Sequence, residues 1–124
     1  EDGTLIVRDP VSVNENDEII CVAGIPAGSE VYVLRGDANT LLESSLKITI
    51  AARLNAPEKY KPLLFDCISR AMFLEDRFTE ELENIQDGMR YTVEGALSLG
   101  EIACRENGEL VIHNKSTVLA VMEI

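Results

Sequence analysis

The run Leu63-Leu64-Phe65-Asp66-Cys67-Ile68, opened by Pro62, constrains the fold more than any other stretch of the chain. An apolar run of this length suits a central strand covered on both faces. Helical periodicity flanks it on either side. Leu42, Leu46, Ile50 and Leu54 recur every fourth residue while Lys47 and Arg53 face elsewhere, which predicts a helix over about 39–55 ending before Pro57. Thr40 and Glu43 have the spacing of a capping box, with Asp37 and Asn39 as alternative caps. Leu74, Phe78, Leu82 and Ile85 mark a second helix over about 71–87, with Asp87-Gly88 as a left-handed stop. The acidic residues Glu75, Asp76, Glu80, Glu81 and Glu83 read as its solvated face. Leu42, Leu46, Ile50, Leu74, Phe78 and Leu82 are the core residues expected of the two helices.

Both ends of the chain read as strands. Thr4–Val7 and Glu18–Val22 are rich in β-branched residues, with Asn14–Asp17 punctuating the gap, and Pro26-Ala27-Gly28 turns into an alternating Val31–Leu34. Tyr91–Cys104 reads as one long extended stretch, followed by an Asn107-Gly108 hairpin turn, Leu110–Ile112 and Thr117–Ile124. The order predicts an α+β fold: an antiparallel or mixed sheet of five or more strands with two packed helices. The 124 residues show no internal repeat or second boundary and read as one domain. An opening at Glu1-Asp2-Gly3 without an initiating Met reads as a fragment of a longer protein.

Charge narrows the function classes. With 22 acidic residues against 11 basic ones, the net charge is -11. Nucleic acid and anionic membrane surfaces both require a basic footprint, so neither is an expected partner. No apolar run approaches bilayer-spanning length. Cys21, Cys67 and Cys104 are odd in number and far apart, which argues for reduced thiols and a cytoplasmic setting. No Walker loop, G-x-G-x-x-G, G-x-S-x-G, H-E-x-x-H or C-x-x-C motif occurs, so no enzymatic activity, cofactor or metal is expected.

Three constellations remain. Cys67-Ile68-Ser69-Arg70 closes the apolar strand. Arg70 there suits an anion or an ion pair, Ser69 a helix cap, and Cys67 a small buried apolar residue. In Gly95-Ala96-Leu97-Ser98-Leu99-Gly100-Glu101-Ile102, glycines inside a strand mark a bulge, strand curvature or close approach by a backbone or ligand, and Glu101 follows the second of them. His113-Asn114-Lys115-Ser116-Thr117 is a polar break whose side chains suit a turn.

In this order the constellations resemble the C-terminal domain of FIST proteins, a family of intracellular signal-transduction sensors. The family pattern is Cys-x-x-Arg after an apolar strand, then Gly…Gly-Glu-Ile, then a His-Asn-x-Thr-like segment. Cys67 and Arg70, Gly95, Gly100, Glu101 and Ile102, and His113, Asn114 and Ser116 match it, Ser116 standing in place of Thr. The second half carries most of the resemblance. Ala96, Leu97, Ser98 and Leu99 stand where the family often has aromatic residues, and Asp66 where it has a small one.

The resemblance implies a small-molecule sensing domain, with amino acids as the proposed signals. An N-terminal FIST domain and a signalling output domain are the expected partners, and self-association is a further one. The expected ligand-binding set is Arg70, Glu101, Asn114, Cys67, Gly95, Gly100 and Ser116. Arg70, Glu101 and Asn114 are expected to converge at one edge of the sheet, because polar groups in apolar strands are costly unless paired. Two other classes compete: an interaction or dimerisation scaffold without ligand, and a hydrolase built on Cys67, His113 and Glu101, whose nucleophile needs the imidazole within hydrogen-bond reach.

Overall fold

The computed structural model describes residues 5–104 and 107–124. Among these residues seven strands and three helices follow one another as β1 (Pro10–Val13), β2 (Ile19–Cys21), α1 (Ala38–Asn55), β3 (Tyr60–Cys67), α2 (Ile68–Leu74), α3 (Phe78–Gly88), β4 (Glu94–Ser98), β5 (Glu101–Cys104), β6 (Leu110–His113) and β7 (Thr117–Glu123), with a 3₁₀ turn, Glu75–Arg77, between α2 and α3. The α+β class and the mixed sheet are as expected. The strands divide into three small sheets, the largest having the order β4-β3-β7. In it β3 runs parallel to β4, from Leu63↔Glu94 to Cys67↔Ser98, and antiparallel to β7, from Tyr60↔Glu123 to Asp66↔Thr117. The apolar run is therefore the central strand.

Strand alternation decides what each face of this sheet carries. Tyr60, Pro62, Leu64 and Asp66 are buried beneath the helices, while Lys61 and Phe65 on the other face are exposed. The helices α1 and α3 pack together over the first face, and α1 reaches β7. The core between them holds Leu42, Tyr60, Leu64, Leu74, Ile85 and Met89.

Helix α1 buries a different stripe from the one its leucines suggest. Asp37 is the N-cap, accepting from Thr40 N at 2.9 Å, so the cap is one of the two alternatives to Thr40. The buried face is Leu42, Ser45 and Thr49, whereas Leu46, Ile50 and Leu54 are 42%, 51% and 79% exposed. At 3.6 residues per turn, a repeat of four drifts by about 40° per step and walks off the face that Leu42 occupies. Ser45 and Thr49 cost little as core residues because their hydroxyls donate to Leu42 O (2.9 Å) and Ser45 O (2.8 Å) within the helix. Their small size lets α3 come close. A Cβ at Gly88 would run into Thr49 Cγ2, so Gly88 serves helix contact. It lacks the positive φ of a left-handed stop, and Met89 is the C-cap.

The second predicted helix is two helices. Glu75, at φ 50°, breaks it, and Arg77 in the intervening turn holds Glu80 (2.9 Å) and Asn39 (2.7 Å). The start also moves: α2 begins at Ile68, which places Ser69 inside the helix with its hydroxyl 3.1 Å from Cys67 Sγ, not at the cap. Phe78 is half-buried and Leu82 is 39% exposed, so Leu74 and Ile85 are the deeper core residues.

Two strand assignments fall away. Val31–Leu34 is irregular and all four residues are exposed, since no strand among the described residues offers it a ladder. Leu5–Val7 is likewise outside any strand, and Thr4 lies outside the described residues. The long Tyr91–Cys104 stretch breaks at Leu99-Gly100 into β4 and β5. There β5 leaves the main sheet, pairs with β6 through Glu101↔His113 to Cys104↔Leu110, and packs against β3 and β7. The β1–β2 hairpin is tied to this region by Arg8, which donates to Ile112 O at 2.9 Å, and by Lys115 Nζ, 3.2 Å from Asp9.

The two faces of α1 separate in a stability measurement. Leu42→Ala is expected to cost about 2–5 kcal/mol, as for buried leucines elsewhere, while Ile50→Ala costs under about 1 kcal/mol. Urea unfolding midpoints of the two variants check this. Equal losses would place Ile50 in the core.

Candidate functional site

The polar residues of interest gather where β3 and β4 end, and the sheet divides them into two networks. On the helical face, Asp66 Oδ1 accepts from Thr117 Oγ1 at 3.0 Å and lies 3.4 Å from Arg70 Nε, an ion-pair distance without hydrogen-bond alignment. Arg70 Nη2 donates to Glu81 Oε1 and to Leu41 O (3.1 Å). Asp66, Arg70 and Glu81 are all buried. Asp66 Oδ2 and Glu81 Oε2 have no hydrogen-bond partner among the described residues. Two carboxylates thus share one guanidinium away from water. Burial, then the neighbouring Glu81 charge, push the Asp66 carboxyl up to about 6, with Arg70 and Thr117 pulling the other way.

On the opposite face, Glu101 is fully buried and accepts from Ser98 Oγ at 2.7 Å and Ser116 Oγ at 2.8 Å. The carbonyl of Ser116 accepts from Cys67 N at 3.1 Å. Asn114 is also buried, donating from Nδ2 to Leu99 O at 3.3 Å while Oδ1 has no hydrogen-bond partner among the described residues. A Cβ at Gly100 would sit 3.3 Å from Asn114 Nδ2 and from His113 O, so Gly100 permits the β4–β5 turn to close over Asn114. Lys115, at φ 54°, makes the turn of the polar break.

The expected convergence of Arg70, Glu101 and Asn114 is divided by the sheet. Glu101 and Asn114 meet around the Leu99-Gly100 turn together with Ser116, and Cys67 joins them through its backbone. Arg70 belongs to the other network, because Asp66 and Ser98 lie on opposite faces by strand alternation. No hydrogen bond or ion pair among the described residues joins Arg70 to Glu101 or Asn114. Cys67 shares its hydrogen bond with Ser69, not with His113. Gly95 is explained by the sheet itself: a Cβ there would meet the Leu64 carbonyl oxygen of the neighbouring strand.

Sequence reading missed Glu81 and Asp66 as partners. Glu81 looked like one of five solvated acids, yet Phe78, Glu81 and Ile85 are spaced i, i+3, i+7 and so share the buried stripe. Asp66 had a similar signal, since it continues the alternation Tyr60, Pro62, Leu64.

Beside the helical-face network, a groove of about 350 Å³ opens between α3 and β4. Leu64, Phe78, Leu82, Val93 and Leu97 give it apolar walls and Asp66 lies along it. Gln86 also lines it, but its amide is engaged, Oε1 accepting from Val93 N at 2.9 Å.

The Asp66 environment predicts a pH-dependent stability. The folded pKa lies above the unfolded one, so the folded chain binds the extra proton; stability from this group is lost as pH rises through about 6 and recovered as pH falls toward 4. Relative to Asp66→Asn, which lacks the titration, the unaltered chain is expected to gain melting temperature on going from about pH 8 to about pH 5. Parallel melting curves for the two proteins would show no such divergence if Asp66 titrates normally.

Residues 1–104 match the model of the FIST C domain. No curated protein and no solved structure is significantly similar to the chain. Over the matched stretch lie the central strand, both main helices, the groove and the Cys67, Arg70, Gly95, Gly100 and Glu101 positions; His113, Asn114 and Ser116 follow it. The chain belongs to the FIST C domain family.

Proposed function

We propose that this chain is a small-molecule-binding sensory domain of a cytoplasmic signal-transduction protein, and that the ligand occupies the α3–β4 groove. Family membership supports the sensory role. The observation that carries the ligand reading is the groove itself, apolar along its walls and bordered by a buried carboxylate with an unused acceptor. That is the usual composition of a ligand pocket: apolar lining with few fixed polar groups. Arg70 then acts by holding Asp66 and Glu81 in place, while Glu101, Asn114 and Ser116 fix the β4–β5 turn behind the same strand.

The groove also lies where binding can be relayed. Its α3 wall packs against α1, whose outer face exposes Leu46, Ile50 and Leu54. Val11, Val13 and Ile19 of the β1–β2 hairpin are exposed as well. We assign these apolar surfaces to contact with an N-terminal FIST domain, and the signal to a ligand-dependent shift in α3 against α1.

Thermal shift against a broad metabolite panel, amino acids included, tests the reading. A ligand at a hundredfold excess over its Kd is expected to add about 2.7 kcal/mol of stability. Leu82→Trp, which fills the groove from a partly exposed helix position, is expected to abolish the shift. No response from any panel member, or a response that survives Leu82→Trp, would overturn it.

A further inference from the structure

The groove has a charge character that selects among ligands. Among the described residues that line it, Asp66 and Glu94 are the ionisable ones, and both are acids. Arg70, the nearest guanidinium in the network, already faces Asp66, Glu81 and the Leu41 carbonyl. A ligand carboxylate in the groove therefore meets carboxylates and, among the described lining residues, no cation. A ligand ammonium meets the opposite situation. The Asp66 side chain is 2% exposed; its Oδ1 is taken by Thr117 and Arg70, and Oδ2 has no hydrogen-bond partner among the described residues. One cation would restore neutrality to two carboxylates that share a single guanidinium. The walls around it, Leu64, Phe78, Leu82, Val93 and Leu97, suit an alkyl or aryl tail.

We infer that the groove binds a primary ammonium compound with an apolar tail and no carboxylate, its ammonium donating to Asp66 Oδ2 and its tail lying between α3 and β4. This rests on the sensory reading above and sharpens it, because it separates amines from the amino acids that share their side chains. The net charge of -11 favours the same sign of ligand. Gln86 does not compete for the ammonium, since its side-chain oxygen accepts from Val93 N.

The test uses matched pairs on the 124-residue chain: 2-phenylethylamine against phenylalanine, and 3-methylbutylamine against leucine, by thermal shift and calorimetry. Each amine is expected to bind at least tenfold more tightly than its amino acid, a difference in keeping with one charge-assisted hydrogen bond gained and one repulsion avoided. Asp66→Asn is expected to lose on the order of tenfold or more in amine affinity. Leu82→Lys places a cation on the groove wall at a partly exposed site that does not threaten folding, and is expected to weaken amine binding similarly with an unchanged circular dichroism spectrum. Equal binding of amine and amino acid, or amine binding unaltered in Leu82→Lys, would overturn the assignment. If amino acids or other panel members bind through the groove and amines do not, the ammonium assignment falls while the sensory reading stands. If nothing binds, both fall.

Discussion

Arg70 is the group on which the helical side of the molecule closes. Its guanidinium reaches Asp66 at the end of β3, Glu81 on α3 and the Leu41 carbonyl on α1, while Asp66 in turn holds Thr117 at the start of β7. Four elements, β3, α3, α1 and β7, therefore meet around Arg70 of α2. Such a cluster is a weak source of net stability, because each ion loses its hydration on burial. Its effect is geometric. Removing the cation would leave two buried carboxylates facing each other, so the arrangement tolerates α1, α3 and β7 only in positions that keep Arg70 satisfied. Burial, and after it the neighbouring Glu81 charge that the single guanidinium leaves unmatched, raise the Asp66 carboxyl to about 6.

The second network is built on the same backbone. Asp66 and Cys67 are adjacent, as are Ser116 and Thr117. Asp66 with Thr117 serves the helical face, and Cys67 N with Ser116 O leads to Glu101 on the other. The alternation of a strand turns one pair of dipeptides into the common support of two polar clusters. Any movement of the start of β7 relative to β3 is felt by both.

What the sequence made legible followed the strength of its local signals. The central strand, α1 and the Asn107-Gly108 hairpin turn each had a period or turn residue of their own, and each is present; Gly108 has the expected positive φ, at 82°. The class of residue was harder to assign than the element. A leucine or isoleucine every fourth position suggested the core of α1, but the drift of that repeat exposes Leu46, Ile50 and Leu54, while Ser45 and Thr49 are buried. Counting charges on α3 suggested a solvated face, but Glu81 occupies a core position of the 3.6-residue repeat. Val31–Leu34 had the alternation of a strand without a neighbour to pair with, and a strand is a property of two segments. At the candidate site the sequence identified Arg70, Glu101 and Asn114 as unusual, because polar residues beside apolar strands must find partners. It did not show which partners, since Asp66 and Glu81 are brought to Arg70 by tertiary packing, and the sheet that separates Glu101 from Arg70 has no local signature.

The family match ends at residue 104, whereas the sheet does not. β3 has two neighbours, β4 within the matched stretch and β7 beyond it, and the β7 ladder is the longer of the two, running from Tyr60↔Glu123 to Asp66↔Thr117. Without β7 the central strand would present an unpaired edge along most of its length, and Asp66 would lose the Thr117 hydroxyl that occupies Oδ1. Glu101 would lose Ser116, one of its two hydroxyl donors, and would remain a buried carboxylate with Ser98 alone. Such half-satisfied burial is costly. The closing strand is therefore part of what makes the matched residues fold as they do, and the polar break at 113–117 is the point where it is fastened to both networks.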